Sequence, residues 1–318
     1  MKILWTTLIS ILISSCAVKT IRNSVDNKIL LNEKFYWVGA NINGKKFDKA
    51  AMFVPINIDN LKEGAFAQFD LGSNTSILYQ KNLTSIPEFN QLKLDSLPDG
   101  NTDDGKKVFV IRSANISIGK IHLGKREIYG FYNYGDEIKI DEKIPVDEKS
   151  IGTIGSDIVQ NKVLIIDFRN ETLSITDSLT SVAQSEFNFT DCKLVNNRII
   201  VPIDINGQTM YFLYDTGASL FPMGTTKLIW KEISNDKIID TLNITNFGNP
   251  VKMFGSNSKI KVKLADEYLS NFTVYYEGEN YFDKIFKQIE CDGIIGNSFF
   301  LNKKICIDYK TKRFGISK

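Results

Sequence analysis

The sequence predicts an all-β protein built as two similar lobes. Three observations carry this. First, the chain repeats itself: "SIGTIGSDIVQNKVLIIDFRNETLSI" (150–175) aligns with "CDGIIGNSFFLNKKICIDYKTKRFGI" (291–316), Gly155 against Gly296, an offset of 296 − 155 = 141. Second, a matched pair lies upstream of each copy. "FVPINIDNLKEGAFAQFDLGSNTSI" (53–77) aligns with "IVPIDINGQTMYFLYDTGASLF" (200–221), Asp70 against Asp215, an offset of 215 − 70 = 145. Third, the segments between turn signals are short, alternate apolar with polar residues and are rich in β-branched and aromatic side chains, while helical periodicity is scarce.

Taken in chain order, the first element is a leader. Lys2 precedes the apolar run Ile3–Ile13 and then Ser14-Ser15-Cys16, the charged, apolar and small-residue regions of a secretory signal. The run is too short for a bilayer, which needs ~20 residues. Ile13-Ser14-Ser15-Cys16 also resembles a bacterial lipobox, a resemblance that makes Cys16 the lipidated first residue of the mature chain. Residues 1–16 are then a signal peptide and 17–30 a tether.

The N-terminal lobe is assigned to 31–180 and the C-terminal lobe to 181–318, with the boundary in the polar stretch Asp177–Ser185. In each lobe an apolar strand runs into an Asp, at Asp70 and at Asp215, followed by a glycine-containing turn. Alternating hairpins follow, "KVFVIRSANISIGKIHLGKREIYGFYNY" (107–134) in one lobe and "SKIKVKLADEYLSNFTVYY" (258–276) in the other. Each lobe closes on a Gly-x-x-Gly turn (Gly152 and Gly155; Gly293 and Gly296), a short helical turn and a strand–turn–strand ending. Asp167 and Asp308 precede polar turns and read as turn acceptors. "PDGNTDDGKK" (98–107) and "FGNPVKMFGSNSK" (247–259) have the turn chemistry of flaps over a cleft, with Phe247 and Phe254 near a substrate, or of ordinary surface loops.

Composition removes several function classes. The 318 residues carry a formal charge of +2 with no long block of one sign, so no nucleic-acid tail is expected. The single histidine, His122, argues against His-based metal sites and against Ser-His-Asp or Cys-His catalysis. Beyond Cys16 three cysteines remain (Cys192, Cys291, Cys306), at a spacing that fits no zinc pattern and allows at most one internal disulfide. No metal and no cofactor are expected.

What remains is an apolar strand delivering a carboxylate, twice. A buried, unpaired carboxylate is costly, so each Asp is either a strand-end turn residue or is there to do chemistry. Here the sequence resembles the aspartic proteases of the pepsin and retropepsin type, with bacterial retropepsin-like domains in tandem. The carriers are Asp215-Thr216-Gly217-Ala218-Ser219, its partner Asp70-Leu71-Gly72-Ser73, and the turns "GTIGSDIV" and "DGIIGNSFF". The resemblance spans about Phe35 to Ile316. It implies two pseudo-twofold-related β-barrel lobes with an active-site cleft between them. It also implies a catalytic pair, Asp70 and Asp215, supported by Gly72, Ser73, Thr216 and Gly217. Two close carboxylates share a proton; the ionised one activates water and the protonated one donates to the scissile carbonyl. The implied protein is a lipid-anchored endopeptidase of the bacterial envelope, monomeric, outside the cytoplasm, acting on extended peptide or protein segments. The alternative is a catalytically inactive peptide- or protein-binding lipoprotein of the same fold. Two departures bear on this choice. Leu71 stands where the family has a Thr that braces the dyad, leaving Thr216 to brace it alone. Ser73 can hydrogen-bond the outer oxygen of Asp70, whereas Ala218 cannot do so for Asp215, so the acids are expected to be inequivalent.

Overall fold

Strand after strand in this chain alternates between buried and exposed positions, the pattern of a sheet with one face on a core. In the computed structural model, which describes residues 31–59, 64–102, 105–138, 143–246, 248–279 and 281–318, these strands form three sheets of eight, ten and six strands. Cys16 and the tether lie outside the described residues. The protein is predominantly β, as its sequence predicts.

The eight- and ten-stranded sheets repeat one topology. In the N-terminal half the order is Lys45–Ile58, Phe66–Phe69, Ser150–Ile154, Ile77–Tyr79, Ile121–Phe131, Lys107–Ile118 and Asp95–Asn101. In the C-terminal half the same order is built by Arg198–Ile205, Gln208–Tyr214, Gly293–Ile295, Met223–Thr225, Thr273–Glu277, Asn249–Asn257 and Asp240–Asn246. The directions agree too. Each strand that ends before an Asp pairs in parallel with the strand of the Gly-x-x-Gly turn, Phe69 opposite Ile154 and Tyr214 opposite Ile295. Each of these short strands is also paired antiparallel on its other side. Phe212-Leu213-Tyr214 are buried in succession because their strand is covered on both faces.

The six-stranded sheet joins the halves. Val163–Asp167 of the first half pairs antiparallel with Lys304–Asp308 of the second, placing Ile165 opposite Cys306. Each carries its hairpin partner outward, Thr172–Thr176 on one side and Arg313–Ser317 on the other. Glu33–Lys34 and Phe187–Asp191 close the two edges. The boundary at Asp177–Ser185 therefore separates the halves in sequence only, since one ladder of hydrogen bonds crosses between them. The apolar core crosses as well: Phe69, Leu164 and Ile166 belong to one cluster with Tyr214, Ile305 and Ile307. Asp167 and Asp308 accept bonds from turn amides, Asn170 N at 3.0 Å and both Lys310 N and Thr311 N at 3.0 Å. They are the turn acceptors their positions suggest.

Helices are few and short. Thr226 caps Lys227–Ile233 by accepting from Ile229 N at 3.3 Å. Tyr281–Gln288 starts where Glu277 accepts from Tyr281 N. The sequence reading picked out neither helix, although in the second Phe282, Ile285, Phe286 and Ile289 recur at helical spacing. Its brevity and lone flanking glycines kept the signal below the strand pattern around it.

Candidate functional site

Two strands, each pinned between neighbours, end by lifting a carboxylate to the same place. Asp70 N donates to Ile154 O at 2.9 Å, and Asp215 N donates to Ile295 O at 3.0 Å. The side chains of Asp70 and Asp215 are thereby brought side by side, both partly exposed at the floor of a cleft of about 990 Å³. Burial, and then the charge of Asp70, push Asp215 well above the usual carboxylate range, against the opposing donors Gly217 N and Gly72 N.

The glycines allow this approach. A Cβ on Gly72 would overlap the Asp215 carboxylate, and one on Gly217 would lie 2.7 Å from the Asp70 carboxyl carbon. Each glycine thus sits against the acid of the opposite half. Gly72 N donates across the halves to Asp215 Oδ1 at 3.0 Å, and Gly217 N donates to the same oxygen at 2.7 Å. Asp70 Oδ1 accepts from Ser73 N at 3.0 Å. The acids are inequivalent, as expected, but by another route than the one expected. The Ser73 hydroxyl does not serve Asp70; it donates to Thr75 O at 2.8 Å, because the tight turn brings that carbonyl nearer.

Thr216 is fully buried beneath the pair. Its hydroxyl accepts from Leu71 N at 2.9 Å and donates to Phe69 O at 2.7 Å, so it holds both sides of Asp70 from the other half. Leu71 returns no such bond, and its side chain is fully buried in the core. Behind Thr216, Asn297 donates to Thr216 O and to Ser219 Oγ, both at 2.9 Å, and accepts from Tyr214 Oη at 2.8 Å. The turn glycines pass directly under the loops. A Cβ on Gly155 would lie 2.7 Å from the carbonyl carbon of Thr75, and one on Gly296 would overlap the carbonyl oxygen of Ala218. Gly152 and Gly293 are as tightly covered, by Ile77 O and Gly224 O.

The cleft walls come from both halves. The N-terminal half contributes Tyr79, Phe131 and Tyr134; the C-terminal half contributes Phe221 and, from the helix Tyr281–Gln288, Tyr281, Phe282 and Ile285. Tyr79 Oη bonds Thr153 Oγ1 at 2.7 Å, and burial raises its phenol, so it stays protonated. Both loops with flap chemistry reach the cleft, through Thr102 and Lys106 on one side and Gly248 and Asn249 on the other. Phe254 does not line it: its ring stacks on Tyr276, 5.4 Å away, because the strand pleat turns it to the core. Phe247 lies outside the described residues.

Sequence reasoning missed three contributors: Tyr79, the helix just named, and Arg198. Arg198 lines the cleft and donates from Nε to Gly72 O at 2.6 Å. Only its place at the head of the strand leading toward Asp215 could have marked it. Cys192, Cys291 and Cys306 are free thiols, pushed by burial to about 12, 11 and 12 respectively, and are protonated at neutral pH. Among the described residues no group of His, Cys, Asp and Glu could hold a metal ion, and no helix is long and apolar enough to cross a membrane. No protein-family model matches the chain, and no curated protein matches it.

Proposed function

We propose that this chain is an aspartic-type endopeptidase, bilobal in the manner of the pepsin and retropepsin enzymes its sequence resembles. The observation that carries the reading is the juxtaposition of Asp70 and Asp215 at the floor of a cleft between two sheets of one topology. With one proton on the pair, the ionised member takes a proton from a water held between them, and that water attacks the scissile carbonyl carbon. The protonated member gives its proton to the carbonyl oxygen, forming a tetrahedral diol. As the diol collapses, one of its hydroxyls returns a proton to the ionised member, the C–N bond breaks, and the leaving amine takes a proton from the other member, so the pair ends with one proton as it began. The pair titrates as a unit, so neither role belongs to one residue alone. Extended peptides suit a cleft edged by hairpins, whose free backbone groups pair with a strand.

A peptide-library cleavage assay tests this, with Asp215→Asn as control. Wild type should cut and the variant should not. The kcat/KM profile should fall at low pH as both acids protonate, and fall again as pH rises through the raised value of the pair. Wild-type cleavage that survives in Asp215→Asn, or that climbs steadily into alkaline pH, would remove the pair from the chemistry. Cys16, as the lipidated residue, would hold the enzyme at the bacterial envelope. Labelled fatty acid should enter the wild type and not Cys16→Ser, and equal labelling would refute the anchor.

A further inference from the structure

We infer that Arg198 gives the cleft an anion subsite, one that takes a carboxylate of the bound peptide on the side of the pair that lies over Gly72. The carboxylate is an Asp or Glu side chain or the peptide's own C-terminus. The inference rests on the peptidase reading and names the substrate class of that site.

Arg198 opens the strand Arg198–Ile205 and presents a half-buried guanidinium to the cleft. Two of its nitrogens are held by the loop of the opposite half. Nε donates to Gly72 O at 2.6 Å, and Nη2 donates to Asn74 Oδ1 at 3.4 Å. These bonds fix the plane of the fork next to Asp70. Nη1, with two N–H groups, has no partner among the described residues.

What Arg198 lacks is an ion pair. Arg112 pairs with Asp95 and Glu127, and Arg313 pairs with Asp308. No carboxylate pairs with Arg198 among the described residues. Asn74, at the position best placed to neutralise it, supplies a carbonyl oxygen and no charge. Asp215 and then Asp70 favour its charge through space, and neither makes an ion pair with it. Cys291, the remaining titratable neighbour, has its thiol pushed up to about 11 and stays neutral. A guanidinium cannot shed its charge, so its partial burial without an ion partner is unfavourable until a carboxylate arrives. A fork held on one edge and open on the other is suited to a carboxylate, and charge-assisted bonds of that kind are roughly twice as strong as neutral ones.

The test uses quenched peptides, amidated at the C-terminus, identical except for Glu or Gln at each of the positions flanking the cut. A further peptide places a free C-terminal carboxylate at the same distances. Wild-type kcat/KM should favour Glu over Gln by about tenfold at one position. Preference for the free terminus instead would assign the subsite to that source. In Arg198→Gln the Glu/Gln ratio should fall to about one, and Arg198→Lys should keep part of it. The ratio is taken within each variant, so any loss of loop positioning through Gly72 cancels. Equal wild-type rates at every position and for the free terminus overturn the subsite and leave the peptidase reading standing. If nothing is cut, the peptidase reading falls, and binding of the same peptides by fluorescence anisotropy decides the subsite alone. Tighter binding of the carboxylate peptides to wild type but not to Arg198→Gln supports it. Equal binding, or none, overturns it.

Discussion

Thr216 and Asp215, adjacent in the chain, do opposite things to stability. The Thr216 hydroxyl satisfies Leu71 N and Phe69 O, two backbone groups of the other half that have no water to turn to. Thr216→Val is isosteric and leaves both unpaired. We predict a loss of about 1–3 kcal/mol for each orphaned group, read as a lower denaturant midpoint, together with a fall in kcat. An unchanged midpoint would show that the two groups find other partners. Leu71→Thr does not repair the asymmetry without cost, because it deletes apolar volume from a fully buried position. Asp215 has the reverse effect. Its carboxyl is raised on folding, so its contribution to stability is full below the ordinary carboxylate range and is lost as pH rises through the folded value. Asn at 215 keeps Oδ1 as acceptor for Gly72 and Gly217 and can donate from Nδ2 to Asp70. We therefore predict that Asp215→Asn melts higher than wild type at pH 7, with the gap closing toward pH 3. The lowered carboxyls Asp167, Asp240 and Asp308, where hydrogen bonds outweigh the burial that would raise them, are common to both proteins and cancel. A variant that melts lower at pH 7 would contradict the burial argument.

At the scale of elements, the Gly-x-x-Gly turns decide where the acids stand. Gly296 faces the carbonyl oxygens of Ala218 and Phe221, both on the Asp215 loop. Backbone cannot yield as a side-chain tip can, so Gly296→Ala must displace the loop itself. Overpacking of this kind costs about 1–3 kcal/mol or more. We predict that Gly296→Ala loses peptide cleavage while retaining a folded β spectrum, whereas Gly207→Ala, in an open hairpin turn at φ +82°, loses only stability. Full cleavage by Gly296→Ala would show that the loop position is not set by this turn. Both turns were legible in the sequence because the need for glycine is local and occurs twice. The role of Phe254 was not, since a loop's turn residues do not reveal which face a following strand residue occupies.

At the scale of the whole molecule, three of the joints between the halves stand out among the described residues. One is the ladder between Val163–Asp167 and Lys304–Asp308. Another is the set of bonds between the two Asp loops. The third is at the hairpin that includes Asn43, where Asn43 Nδ2 donates to Thr241 O at 2.7 Å and Lys45 pairs with Asp240 at 3.0 Å. With a shared sheet and a shared core, neither half can open without stripping the other. We predict a single calorimetric transition in which the van't Hoff and calorimetric enthalpies agree. Two resolved transitions would show that the halves unfold separately and that the joint sheet is weaker than its register implies.

By itself the sequence determined what depends on neighbours along the chain. The strand pattern, the doubled order of parts, the glycine turns and the two candidate acids all follow from spacing, and spacing survives duplication. Only the tertiary structure decided what depends on residues far apart in sequence. It brought Asp70 beside Asp215, and burial with that neighbouring charge raised the Asp215 carboxyl. It redirected the Ser73 hydroxyl to Thr75 O. It also brought Arg198 from the second half against Gly72 and Asn74 of the first, with no carboxylate in an ion pair with it among the described residues. The reason is physical: hydrogen-bond partners and counter-charges are set by distances of about 3 Å, and across two halves such distances exist only once the sheets have packed.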